Sequence, residues 1–230
     1  MSGMSETLQL ALLLIPCLIV AIVFHEVAHG WTALALGDPT AKEQRRLSLN
    51  PIRHVDPIGT ILVPGALALF GGPVFGWAKP VPVRKNRLDN PRYGMMAVAA
   101  AGPASNLLMA LIAAIVLGLV AATLTAPPGA ALGWVLTGLN YFIVINIFLA
   151  LFNLLPIPPF DGSHILEGLL PRSMAAQYAK LQQVGMFLLI ALIAITWAFP
   201  DSGIIENVVL PPVEWLREKY LTLALWVAGG

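Results

Sequence analysis

LQLALLLIPCLIVAIVFHEVAHGWTALAL, residues 8–36, decides how the rest of the chain is read. About 20 apolar residues cross the hydrocarbon core of a bilayer, and this stretch is longer than that. Inside it stands His25-Glu26-Val27-Ala28-His29. A central charge in lipid costs roughly 2.5–3.5 kcal/mol on insertion scales, so an ionisable cluster there is by default a functional site. Residues i and i+4 share one face of a helix, which lets both imidazoles reach a single metal ion. Glu26 lies beside them, placed to take a proton from an attacking water. The implied chemistry is metal-dependent hydrolysis within a membrane.

Composition agrees with that reading. The 230 residues are 58% hydrophobic and 11% charged, against about 25% charged in an ordinary soluble domain. The expectation is an all-α polytopic membrane protein forming one domain over 1–230, with about four spans near 8–36, 93–124, 132–155 and 181–199. Gly37-Asp38-Pro39 stops the first, Ala126-Pro127-Pro128-Gly129 the second, and Pro156, Pro158 and Pro159 break the third. No Asp, Glu, Lys or Arg occurs between Arg92 and Asp161. A net charge of +1 with no basic stripe excludes a nucleic-acid partner. Cys17, the one cysteine, has no intramolecular partner for a disulfide. The first apolar run exceeds a signal-peptide core and lacks a basic leader, so no cleavable signal is expected.

Charge asymmetry orients the spans. Of the 13 Lys and Arg residues, only Arg217 and Lys219 fall outside the segment 37–92 and the stretch after the third span. The positive-inside rule places those two segments in the cytoplasm and both termini on the opposite face. Within 37–92, Ile61 to Phe70 is too short to span, and Val74-Phe75-Gly76-Trp77 and Val81-Pro82-Val83 have strand-like composition. A small β-hairpin or re-entrant element is therefore expected over about 58–84, at the cytoplasmic membrane surface. Residues 203–230 read as an interfacial helix or a short re-entrant segment. Trp77, Trp134, Trp197 and Trp215 fall near the expected boundaries, as an aromatic belt requires.

A catalytic zinc takes three protein ligands and keeps a fourth position open. His25 and His29 supply two, and Asp161 is the best candidate for the third. The first and third spans both run toward the cytoplasm, which puts the histidines and Asp161 at similar depth. The proline-rich break before Asp161 also frees backbone groups that membrane depth tolerates only along a cavity or inside protein. His54 and His164 are the rival ligands: His54 lies in a polar loop, and His164 follows Asp161 by one helical turn. Asn106, among small residues, reads as a helix-packing group, with substrate contact as the other reading. Asn140 and Asn146 read as interhelical hydrogen-bonding groups.

The pairing of His25-Glu26-Val27-Ala28-His29-Gly30 with Asn153-Leu154-Leu155-Pro156-Ile157-Pro158-Pro159-Phe160-Asp161-Gly162 resembles the site-2 protease family of intramembrane zinc metalloproteases. Ala101-Gly102-Pro103-Ala104-Ser105-Asn106 resembles that family's small-residue motif, and the likeness runs from the first span to about Leu166. It implies one Zn2+ held by His25, His29 and Asp161, Glu26 as general base, and Asn153 as the residue that holds the substrate or the oxyanion. It also implies transmembrane protein substrates. The chain is similar to the minimal prokaryotic type, without a PDZ-like insert or a nucleotide-binding regulatory domain. A helical substrate must unwind before attack, and the expected strands at 74–83 would pair with the unwound segment by strand addition.

Two other functions compete. A membrane zinc protease cutting cytosol-exposed loops typically uses a glutamate as third ligand, and between the third span's break and the tail the chain offers only Glu167. A metal transporter or sensor would use the histidines as a transit site, but transit needs no catalytic base such as Glu26.

Overall fold

The computed structural model describes residues 2–63, 69, 78–199, 203 and 205–230. Three helices are long and apolar enough to cross a membrane: α1 (Ser2–Ala35), whose apolar part is Leu8–Ala35, α3 (Pro91–Ala122) and α4 (Ala130–Asn153). Between α1 and α3 lies the short α2 (Thr40–Glu43). After α4 come α5 (Asp161–Leu169), α6 (Arg172–Gln182), α7 (Gly185–Ala198) and α8 (Leu210–Val227). Helices α6 and α7 meet at a 62° bend and together make a fourth candidate span.

The outer faces of these helices suit a lipid surrounding. Leu12, Ile15, Leu108, Ile112, Leu119 and Val135 are exposed, so the helices are apolar outside as well as inside. A helix apolar all round belongs in a large core or in a membrane. Hydrophobic burial cannot then bind the helices to one another, and close packing of small residues does it instead. Helix α3 shows how: Gly94, Ala99, Gly102, Ala110, Ala113, Ala114 and Gly118 are buried along it, and it packs against α1, α4, α5 and α8. Its start is set locally, with Pro91 at the first turn and the Asn90 side chain accepting from the Tyr93 amide at 3.2 Å. One core cluster joins Ala110, Ala113 and Ala114 of α3 to Ile143 and Ile147 of α4 and Val213 of α8.

Helix α5 is short, and both its ends are anchored. Asp161 begins it, where a carboxylate complements the helix dipole. At its far end the Arg92 guanidinium of α3 donates to the Gly168 carbonyl at 3.0 Å and to that of Leu170.

One expectation changes. No strand occurs among the described residues, so the β-hairpin expected over about 58–84 is not supported. Pro57–Leu62 forms a π-helical turn instead, whereas Val74-Phe75-Gly76-Trp77 lies outside the described residues. At 80–82, Pro80 and Pro82 have no amide hydrogen, so the strand edge they would face has no donors to offer a ladder. In the tail, Leu210–Val227 forms helix α8. Helix α8 packs on α3 and α4, and the Tyr220 hydroxyl donates to the Leu107 carbonyl at 3.3 Å.

Candidate metal centre

Helix α1 presents His25 and His29 toward α3, one turn apart, with ring centroids separated by 4.6 Å. Both are buried, at 7% and 9% exposure. Each ring is oriented through its Nδ1. His25 Nδ1–H donates to the Asn106 side-chain oxygen at 2.6 Å, and His29 Nδ1–H donates to the Val98 carbonyl at 2.7 Å. Asn106 is itself fixed, because its amide donates to the Ala21 carbonyl at 3.2 Å and to the Asn146 side-chain oxygen at 2.8 Å. Those donations assign the Asn106 oxygen to His25. With Nδ1 protonated on both rings, both Nε2 atoms are left to serve as ligands.

Asp161 meets them from the opposite side. Its Oδ2 lies 3.1 Å from His25 Nε2 and 3.3 Å from His29 Nε2, yet this buried oxygen has no conventional hydrogen-bond partner. A carboxylate oxygen facing two nitrogen lone pairs is repulsive unless a proton or a metal cation stands among them, and a metal cation satisfies all three atoms at once. The spacing fits zinc, since bonds of about 2.0–2.1 Å in a tetrahedron place neighbouring ligand atoms about 3.3 Å apart. Among the described residues these are the one group of His, Cys, Asp and Glu side chains close enough to hold a metal, with ligand atoms within 4.8 Å of one another.

Glycine makes the close approach possible. A Cβ on Gly102 would lie 2.5 Å from His29 Cε1 and Nε2 and 2.6 Å from His25 Cε1. Helix α3 therefore presses its bare backbone against the imidazole edges, and any side chain there would displace the rings.

Glu26 points to a different neighbour. Its Oε2 accepts from the Val81 amide at 2.7 Å. Asn153, at the end of α4, donates from its side-chain amide to the Leu149 carbonyl of its own helix at 2.9 Å. The rival histidines stand apart from the cluster. His54 is 3% exposed and its Nε2–H donates to the Ser48 carbonyl at 2.7 Å. His164 faces Gln182 at 3.2 Å and Glu167 at 3.7 Å, and burial pushes its pKa below the ordinary histidine value.

Sequence reading brought forward His25, His29, Glu26, Asp161 and Asn153, and it left Asn106 to helix packing and Arg46 to the count of orienting charges. The missed signal for Asn106 was a polar side chain deep inside a charge-free span, which needs a polar partner. Asn146 had been read as an interhelical hydrogen-bonding group, and it is the partner Asn106 uses.

Comparison with known proteins bears on the identity of this centre. The profile of peptidase family M50 matches residues 120–195. The chain is 41% identical over 200 residues to "Putative zinc metalloprotease YwhC" of Bacillus subtilis, covering 83% of this chain and 86% of that protein. It is 28% identical over 204 residues to "Putative zinc metalloprotease Rip2" of Mycolicibacterium smegmatis, covering 81% and 72%. It is 43% identical over 147 residues to "Putative zinc metalloprotease MJ0611" of Methanocaldococcus jannaschii, covering 63% and 64%. No solved structure matches the chain. Paired histidines facing a carboxylate, on a chain alike to YwhC over most of both lengths, lead to one conclusion: this chain belongs to peptidase family M50, the zinc metalloproteases of site-2 type.

Proposed function

We propose that the chain is an intramembrane endopeptidase that hydrolyses peptide bonds within membrane-spanning segments of other proteins. His25, His29 and Asp161 hold one zinc ion per chain in this reading. The observation that carries it is the meeting of Asp161 Oδ2 with both Nε2 atoms at 3.1 and 3.3 Å, between elements packed among helices apolar enough to span a bilayer.

A zinc ion held by His25, His29 and Asp161 would supply Lewis-acid chemistry there, lowering the pKa of water toward neutrality and polarising a scissile carbonyl. Glu26, next to His25 on the same turn, takes the attacking water's proton and returns it to the leaving amine. Asn153 serves the substrate backbone or the developing oxyanion; Leu149 occupies one hydrogen of its amide and the other is available for that contact. Asn106 and Val98 hold the two imidazoles in the required tautomer. Helix α3 covers both ring edges with its backbone at Gly102.

Basic residues cluster in 37–92, which supports a cytoplasmic placement for that segment and outward placement for both termini. The histidines lie in the half of α1 nearer that segment, so cleavage falls toward the cytoplasmic side. A substrate helix must unwind locally, because its peptide groups are tied in i to i−4 hydrogen bonds.

The test is a pair of reporters, one with its cleavable site inside a transmembrane segment and one with the same residues in a cytosolic loop. Wild-type protein in liposomes should cut the first and spare the second, and Glu26→Gln should cut neither while retaining zinc. Cleavage of the loop reporter alone would replace the intramembrane reading with a loop-cutting one.

A further inference from the structure

The segment that replaces the expected hairpin is tied to the base. In Lys79-Pro80-Val81-Pro82 the two prolines carry no amide hydrogen, so Val81 has the only donor in the run 80–82. That donor goes to Glu26 Oε2 at 2.7 Å. Two carbonyls of the segment converge on one side chain. Arg46 donates to the Lys79 carbonyl at 2.6 Å and the Pro80 carbonyl at 3.4 Å, and a second nitrogen of the same fork donates to the Arg53 carbonyl. Arg46 is 8% exposed, although an arginine counted only for topology would lie in water. The Lys79 amide donates in turn to the His54 carbonyl at 2.9 Å. Gly30 admits the segment to α1, since a Cβ there would lie 2.5 Å from a Leu47 methyl and 2.9 Å from Val81 Cγ1.

We infer that Arg46 is a positioning residue for Glu26: by gathering the carbonyls of Arg53, Lys79 and Pro80 it aims the Val81 amide at one carboxylate oxygen, leaving the other turned to the reacting water. The inference rests on Glu26 being the base. A planar fork suits this work, because it reaches several carbonyls at once in fixed directions. Lysine would bring the charge without the directions. A side chain misplaced by about 1 Å at a reacting centre costs up to roughly 100-fold in rate.

The experiment uses the full chain in liposomes with the transmembrane reporter, comparing wild type with Arg46→Met, Arg46→Lys, Val81→Pro, Glu26→Ala and Glu26→Gln. Zinc content, melting temperature, kcat, KM and hydrogen exchange of the 78–84 peptide are measured, the prolines leaving Val81 as the one exchanging amide of 80–82. Arg46→Met should lower kcat by about 10- to 100-fold with KM and zinc content unchanged. It should also raise the Val81 exchange rate by at least about tenfold, and Arg46→Lys should restore neither. Glu26→Ala should raise that exchange rate as well. Val81→Pro removes the donor while keeping Arg46, and should lower kcat by the same factor, which keeps the test decisive if Arg46→Met does not fold. Val81→Pro cutting as fast as wild type or faster, in protein whose Glu26→Gln variant is inactive, overturns this inference alone. An active Glu26→Gln variant overturns the general-base reading instead.

Discussion

His25 and Glu26 are neighbours on one helical turn, yet they are held by different kinds of structure. The imidazole is steered from α3, a helix packed on four others, through Asn106 that is completely buried and hydrogen-bonded on every side. The carboxylate is steered from a proline-rich segment with no regular structure of its own, through a single amide. Under the roles proposed for these two residues, the difference makes metal holding and base aiming separable in this fold. Damage to the helix side should strip zinc, whereas damage to the loop side should slow cleavage in a protein that keeps its zinc.

The comparison is broken most severely at Gly102. Gly102→Val puts a branched side chain where even a Cβ lies 2.5 Å from His29 Nε2, and zinc should be lost altogether with the helices still formed. Metal analysis together with circular dichroism checks this. A smaller effect is expected at Asn106→Ala, which frees the His25 ring to rotate: zinc affinity should fall by about 10- to 100-fold, read by chelator competition. If Asn106→Ala instead lowered kcat at full zinc occupancy, the proposed separation would fail.

Arg92→Ala removes the guanidinium from the carbonyls of Gly168 and Leu170 at the end of α5. Charge-assisted hydrogen bonds are worth about 1.5–3 kcal/mol, so melting should drop by several degrees and zinc affinity should weaken through Asp161 at the other end of that helix. The smallest effect belongs to the Lys85–Glu167 pair, 2.6 Å apart but half-exposed on the lysine side. Partial burial raises the Glu167 pKa, and the Lys85 ammonium with the Gln182 amide outweighs it, so the carboxyl is held below the usual range. Its contribution is therefore present above the unfolded carboxyl's value and lost as pH falls through the folded one. Glu167→Gln should cost under about 1 kcal/mol near neutral pH, less in high salt, and nothing once the pH is low enough to protonate the wild-type group. Melting curves at several pH values and ionic strengths measure it.

The sequence made some parts of this arrangement plain and concealed others. Ionisable groups inside an apolar run are costly, which exposed the metal motif, and proline-rich interruption brought Asp161 forward. The candidate spans α1, α3 and α4 followed from length and hydropathy within a few residues. The part concealed depends on which backbone atoms meet after packing. A carbonyl such as that of Val98, or an amide such as that of Val81, leaves no mark in residue type. Valines beside prolines looked like strand, although the same prolines delete the donors along one edge of it. Arg46 looked like one more cytoplasmic charge, because burial of an arginine by loop carbonyls is decided at long range. Helix α8, with Glu214, Arg217, Glu218 and Lys219 in its middle, gave no span signal and docks on α3 and α4 through Val213 and Ala224.

The central claim is that one zinc ion lies where His25, His29 and Asp161 converge, and metal counting with X-ray absorption on purified wild type and Asp161→Ala tests it most directly. The expected result is one zinc per wild-type chain with two imidazole nitrogens and a carboxylate oxygen in its shell, and zinc largely lost from Asp161→Ala. Undiminished zinc with an unchanged spectrum in Asp161→Ala would contradict the account.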